Sequence, residues 1–202
     1  MSIKQRAVER VRSYHHGDLR AELLRRAEAT LRRAGVDGLS LRQLARDTGV
    51  SHAAPSRHFK DKQALLDELV VAGFDRLRDS FEEAAATDTF LDRLHGMARA
   101  YLRFAMDNPE LLALMFARKS RPVPAVEQAA SRAFLVPITM VTEAQQLGEV
   151  VPGDPRRICL SAVAALQGLA SIVGSGLVAA GEADEIFEET VTHMREGLRP
   201  RN

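Results

Sequence analysis

A single cysteine, Cys159, excludes an internal disulfide and leaves the fold to depend on packing, as suits a reducing compartment. Standing in an apolar stretch, it is expected to be a small buried hydrophobe. The net charge is only +1, so the chain as a whole carries no strong bias toward polyanions. The amino terminus, MSIKQRAVERVRSYHH, has no apolar run behind its positive charges and does not read as a secretory signal. Strand-like alternation, internal repeats and low-complexity tracts are missing too, which leaves helices as the structural element. Nor is there an HExxH, a pair of Glu-x-x-His motifs, a phosphate loop or a nucleophile elbow. His95 with Glu143 or Asp92 makes an acid–base pair only on paper, and His95 and His193 read as surface or packing residues. The expectation is a protein that is not an enzyme, with no cofactor and no metal.

What is present is ordinary in amount and uneven in arrangement. With 46% hydrophobic and 27% charged residues, the 202-residue chain can hold one larger core plus a small module. Residues 1–62 carry 14 Lys and Arg against 7 Asp and Glu, a net of +7, while the remainder carries 14 against 20, a net of −6. A basic first third is attracted to a polyanion, and an acidic remainder is held away from it.

The stretch SLRQLARDTGVSHAAPSRHFKDK, residues 40–62, organises that basic third. Ser40 followed by Gln43 fits a capping box, which predicts a helix start with Leu41, Leu44 and Ala45 at helical spacing. Gly49 then permits the positive φ of a sharp turn. Ser51 is placed to cap a second short helix, roughly 51–59, in which Pro55 is tolerable because it lies in the first turn. That is the plan of a helix-turn-helix, whose second helix enters the major groove of DNA. Ahead of it, Asp18 is a candidate cap for a helix with Leu19, Leu23, Ala27 and Leu31 on one face, Leu24 and Ala34 beside them, and Gly35 at its end. Residues 1–16 are too polar to pack and read as a flexible basic arm.

Beyond Lys62 the apolar periodicity predicts long helices over about 63–86, 90–106, 110–117, 125–146, 156–180 and 183–198, with Thr89 as a cap, Pro109 in a first turn and Pro137 kinking its helix. The 24 residues from Ile158 to Gly181 carry no charge, a length that suits a bilayer crossing. Their richness in Ala, Gly and Ser, the presence of Gln167 and the lack of flanking aromatics argue instead for a helix buried on both sides. Ser161, Ala165, Gly168, Ser175 and Ala179 form a small-residue stripe suited to a partner subunit, and Val163, Leu166, Ala170, Val173 and Leu177 form a bulkier one for the home core.

Taken together, the basic three-helix head, the motif SLRQLARDTGVSHAAPSRHFKDKQALLDEL and the long helical remainder resemble the TetR family of bacterial transcriptional regulators, most closely over residues 15–75. The stretch YLRFAMDNPELLALMFA resembles a regulatory-domain subgroup marked by a Trp-His-Gly triplet, at whose place this chain reads Leu166-Gln167-Gly168. The resemblance implies an all-α fold: the flexible arm 1–16, a helix-turn-helix DNA-binding domain 17–62, and a helical regulatory and dimerisation domain 63–202. It implies a cytoplasmic repressor, with no membrane partner, that binds a near-palindromic double-stranded operator as a homodimer and is released by an apolar or amphipathic small-molecule effector. The DNA-binding residues implied are Arg42, Ser51, His52, Ala53, Ala54, Ser56, Arg57, His58 and Lys62. Arg57 and His52 would hydrogen-bond base edges, Lys62 and Arg42 would hold phosphates, and His58 would either touch phosphate or cap a helix end. Where Ser56 stands the family usually carries an aromatic whose hydroxyl meets a phosphate, so the hydroxyl remains here but its reach is shorter. The ligand pocket implied comprises Met97, Tyr101, Phe104, Leu114, Met115, Phe134, Ile138 and Gln167, residues that could equally be plain core. The competing readings are a helical protein-binding adaptor that kept the head but lost DNA affinity, and an all-α enzyme.

Overall fold

The computed structural model describes residues 3–87, 89–117, 122–179 and 181–200, with side chains from residue 19 onward. Eight α-helices and no strands are found among them: α1 Ile3–Ala34, α2 Leu41–Asp47, α3 Lys62–Ala84, α4 Phe90–Asp107, α5 Pro109–Phe116, α6 Pro124–Gln146, α7 Pro155–Gly174 and α8 Ala183–Leu198. A three-residue 3-10 turn, Pro55–Arg57, lies between α2 and α3. Among the described residues the fold is all-α, as the periodicity implied, with α2 and the 3-10 turn standing where the helix-turn-helix was expected.

Two of the helices differ from their expected extents. α1 begins at Ile3, so the stretch expected as a flexible arm is helical and Asp18 lies inside the helix rather than at its cap. Gly17 costs a helix interior only about 1 kcal/mol relative to alanine, which the runs of helix formers further along α1 on both sides can carry. α7, expected to reach about residue 180, stops at Gly174 with Ser175 as its C-cap. There Gly176 adopts φ +74°, which turns the chain out of the helix. α6 runs through Pro137. The loop expected around Arg118–Pro124 lies largely outside the described residues.

The chain divides into two compact units, one made of Met1–Ala72 with Glu110–Val126, the other of Gly73–Pro109 with Glu127–Asn202. A division at Lys62 was expected; the unit boundary falls instead within α3. In the first unit α1 packs on α2, and α2 on the 3-10 turn. Its interior holds Leu23, Ala27, Leu31, Leu39, Leu44, Phe59, Leu65 and Leu69, each at most 2% exposed. Full burial of one such side chain stabilises by roughly 1.5–3 kcal/mol. Ala34, placed on the apolar face of α1 by its spacing, is exposed.

In the second unit α4 packs against α7 and α8, and these two against each other. Thr89 caps α4, its hydroxyl accepting from the Asp92 N–H at 3.1 Å and donating to the Asp92 carboxylate at 2.7 Å. Asp154 caps α7 through the Arg156 N–H at 2.9 Å, with Pro155 in the first turn. The loop between α6 and α7 is tied down at both sides: Val151 N–H donates to the Leu198 carbonyl at 2.9 Å, and the Gln145 amide donates to the Val151 carbonyl at 2.8 Å. The Phe134 ring meets Phe74 edge-on at 6.3 Å and Phe81 at 6.5 Å.

Candidate functional site

Two places in the structure carry chemistry, a solvent-facing segment in the first unit and a cavity in the second. The segment is set up by α2. Ser40 accepts the Gln43 N–H at 3.4 Å, half of the expected capping box. The other half is replaced: the Gln43 amide donates to Asp47 at 2.6 Å and its carbonyl accepts from Arg46. At the far end Val50 N–H donates to the Ala45 carbonyl at 3.0 Å and Gly49 N–H to Arg46 at 3.1 Å, with Gly49 at φ +69°. These two bonds make a Schellman motif, which fixes the exit direction of the chain.

The expected second helix over 51–59 is not formed. Ser51 contributes its carbonyl, which takes the Ala54 N–H at 2.9 Å, and only Pro55–Arg57 closes as a 3-10 turn. Pro55 has no N–H to give the Ser51 carbonyl four residues back, and its ring opposes that carbonyl, so the first α-helical bond of the segment is not made. Pro55 itself is buried and its carbonyl takes both the His58 and Phe59 N–H groups at 2.9 Å. Phe59, 1% exposed, is the anchor. The Arg20 guanidinium lies 5.8 Å from its ring centroid and 2.5 Å from the Glu68 carboxylate.

This arrangement leaves Ser51, His52, Ala53, Ser56 and Arg57 exposed, Ala54 and His58 half-buried, and Arg42 exposed on α2. Lys62, half-buried, is the first residue of α3, which Asp61 caps by accepting the Ala64 N–H at 2.8 Å. Ser56, Arg57 and His58 are thus held between the buried Pro55 and Phe59, while Arg42, Ser51, His52 and Ala53 are exposed ahead of them. Lys60, also exposed in the same segment, was passed over by the sequence reading, although its position between Phe59 and Asp61 in a basic stretch was visible.

The cavity has a volume of about 360 Å³ and is built from α3, α4, α6, α7, α8 and the loop at Val151. Its walls are apolar, with Leu94, Met97, Tyr101, Met140, Val141, Ile158, Leu166 and Met194 among them. No Asp, Glu, Lys or Arg lines it among the described residues; Ser161 and His193, both exposed, stand at its rim. Burial pushes the Cys159 thiol, also in the wall, up to about 11, so it stays an unreactive apolar group. The Tyr101 hydroxyl is buried without a hydrogen-bond partner. Burial holds it well above the usual phenol range, and the neighbouring Gln167 opposes that shift without forming a bond of ordinary geometry.

Of the implied pocket residues, Met97 and Tyr101 line this cavity and the others do not. Phe104 faces the Arg76 guanidinium at 5.9 Å. Phe134 is engaged with Phe74 and Phe81. Ile138 and Gln167 are half-buried outside the wall, and Leu114 and Met115 belong to the first unit. Helical spacing tells which face of a helix points inward, but not where facing side chains fail to fill the gap between helices. The residues it missed include Pro137, Val151, Ile158, Cys159 and Met194.

The small residues Ser161, Ala165, Gly168, Ser175 and Ala179 are all exposed, with the last two beyond the end of α7 and so off the expected helical stripe. Leu160, 66% exposed, and Ile172, 40% exposed, share the outer side of the helix, while Leu166 and Leu169 are buried. By length and composition α7 is apolar enough to cross a membrane, and little of it is covered within the chain.

Comparison with known proteins adds the following. Residues 23–69 match the model for bacterial regulatory proteins of the tetR family, and residues 94–194 match the tetracyclin repressor-like C-terminal domain. An HTH-type transcriptional regulator of Mycobacterium bovis is 33% identical over 93 residues, which is 45% of this chain and 38% of that protein. The chain therefore spans about two fifths of the length of that curated relative. Among solved structures, a protein of unknown function from Rhodococcus sp. RHA1 is 45% identical with a TM-score of 0.84, over 93% of this chain and 98% of that one. A TetR family transcription regulator from Marinobacter aquaeolei is 18% identical with a TM-score of 0.72, over 94% of this chain and all of that one, a likeness of fold.

Proposed function

Because the chain belongs to the TetR family of bacterial regulatory proteins, we propose that it is a cytoplasmic, ligand-responsive repressor of transcription that grips a near-palindromic DNA operator as a homodimer and lets go when a small molecule binds. The observation that carries this reading is the segment 51–62, with His52 exposed ahead of the buried Pro55, Arg57 exposed between Pro55 and the buried Phe59, and Lys62 opening α3. Arginine suits the O6 and N7 acceptors of guanine, and a lysine at a helix start suits phosphate. So short a reading segment touches too few base pairs to be selective alone. A two-fold dimer with half-sites about 34–36 Å apart doubles the readout.

The exposed outer face of α7 supports the dimer: Ala165 and Gly168 permit close approach, and Leu160 and Ile172 supply apolar area that water would otherwise cover. The apolar cavity supports the effector. A ligand shifts the protein between states only by its differential affinity for them, so the effector must fit the cavity best when the two heads are set wrongly for the groove.

The experiment is fluorescence anisotropy with a labelled duplex from upstream of the protein's own coding region, at several salt concentrations, for the wild type and Gly168→Arg. The wild type should bind with a steep salt slope. Gly168→Arg should sediment as a monomer and lose the specific complex. No binding to that duplex or to any duplex would favour a protein-binding adaptor instead.

A further inference from the structure

The cavity of the second unit has a chemistry narrower than "apolar". Its walls carry hydrocarbon and thioether groups from Leu94, Met97, Met140, Leu166 and Met194, and no carboxylate, guanidinium or ammonium among the described residues. An ionised ligand seated among these walls would lose water, with only Ser161 and His193 at the rim to meet its charge. Away from Ser161 and His193 at the rim, one polar group sits in the buried wall. Tyr101 is 1% exposed and lines the cavity, and its hydroxyl makes no hydrogen bond of ordinary geometry, although Gln167 stands beside it. Buried hydroxyls are nearly always paired, so an unpaired one on a residue of a cavity wall is available to complete its bonding with a guest. Burial also keeps that hydroxyl protonated, which leaves it a donor.

Resting on the reading of this cavity as the effector site, we infer that the effector is a neutral, largely apolar molecule bearing a single carbonyl-like acceptor, and that the Tyr101 hydroxyl donates to it. The space of about 360 Å³ lies at the small end of ligand pockets, which are typically about 300–1,000 Å³. Three methionines and Phe81 in the wall favour a flat or aromatic body, because thioethers adapt their shape and contact ring edges well. Tyr101 thus sets the chemical class of the ligand, and the methionines leave its outline loosely specified.

The test uses the purified full chain and three naphthalene probes of similar size: prodan, a neutral ketone; dimethylaminonaphthalene, which lacks the carbonyl; and naphthoate, a carboxylate. Binding is read by fluorescence for the wild type, Tyr101→Phe and the cavity-filling Ala162→Trp, each checked for helix content. Prodan should bind the wild type, weaken about fivefold in Tyr101→Phe, the loss of one neutral hydrogen bond, and be lost in Ala162→Trp. Dimethylaminonaphthalene should bind the wild type and Tyr101→Phe alike, and naphthoate should bind at least about tenfold more weakly than prodan. Equal prodan binding by Tyr101→Phe, or naphthoate binding as tight as prodan's, overturns the assigned class while leaving the cavity as a binding site. If no probe binds the wild type, or if Ala162→Trp changes nothing, the effector-site reading itself falls.

Discussion

The guanidinium of Arg99 on α4 lies 4.3 Å from the centroid of the Phe187 ring on α8, held there by Asp184 at 3.0 Å and Glu188 at 2.5 Å. Phe187 is fully buried, whereas the Arg99 side chain is 36% exposed, so the ring supplies most of the stabilisation and the charge mainly sets orientation. Phe187→Ala should cost about 3–5 kcal/mol and Arg99→Ala about 1 kcal/mol. Urea denaturation at low salt and at about 1 M salt checks the partition: the packing and ring contribution should survive screening, and the exposed ion pairs should not.

The same cluster makes stability sensitive to acid. The Glu188 carboxyl is held below its ordinary value of 4.5, first by the hydrogen bond to His95 and then by Arg99. A group whose value is depressed in the folded state contributes stability above its unfolded value and loses it as pH falls through the folded one. The contribution is thus complete above 4.5 and fades below it. Glu188→Gln should lower the urea midpoint near neutrality and flatten its decline on acidification. An unchanged acid slope would show that Glu188 does not take part.

The empty-handed hydroxyl of Tyr101 is a cost to the free protein. An unsatisfied buried donor is unfavourable by about 1–3 kcal/mol, so Tyr101→Phe should leave the unliganded protein as stable as the wild type or raise its stability by up to about 1 kcal/mol. Thermal unfolding without ligand measures it. A clear drop would mean that the hydroxyl is already bonded in the free protein.

On the DNA side, Arg57 and Lys62 should fail differently. Arg57→Ala should flatten discrimination between a matched duplex and one altered at a single position, by about 1–3 kcal/mol, because a base contact is lost. Lys62→Ala should weaken every duplex alike and reduce the salt slope by about 1. Competition binding across a set of single-position variants separates the two patterns. Equal losses on matched and scrambled sites for Arg57→Ala would contradict its role.

Local signals in the chain were legible because they are decided within a few residues. Ser40, Gly49, Thr89 and Pro109 each sit where cap and turn chemistry puts them, and the buried face of α1 through Leu23, Ala27 and Leu31 follows from spacing alone. Competitions between neighbours were harder to read. Pro55, admissible in a first helical turn, instead removes the bond that would start an α-helix from Ser51, and only three 3-10 residues close. Asp18 has the chemistry of a cap, but α1 continues through it to Ile3. The cavity was the least legible part. Met97 and Tyr101 could be found from the inward face of α4, but Val151 reaches the wall only because hydrogen bonds from Gln145 and to Leu198 pull its loop over the helix ends. That closure depends on residues distant in sequence, which no local pattern encodes.

The central claim is that the segment 51–62 reads DNA sequence, and selection of bound duplexes from a random pool by the purified protein, at two salt concentrations, tests it most directly. A near-palindrome should be enriched at both concentrations, with its two halves spaced for a two-fold dimer. Enrichment of no sequence, or binding that disappears with salt whatever the duplex, would contradict it.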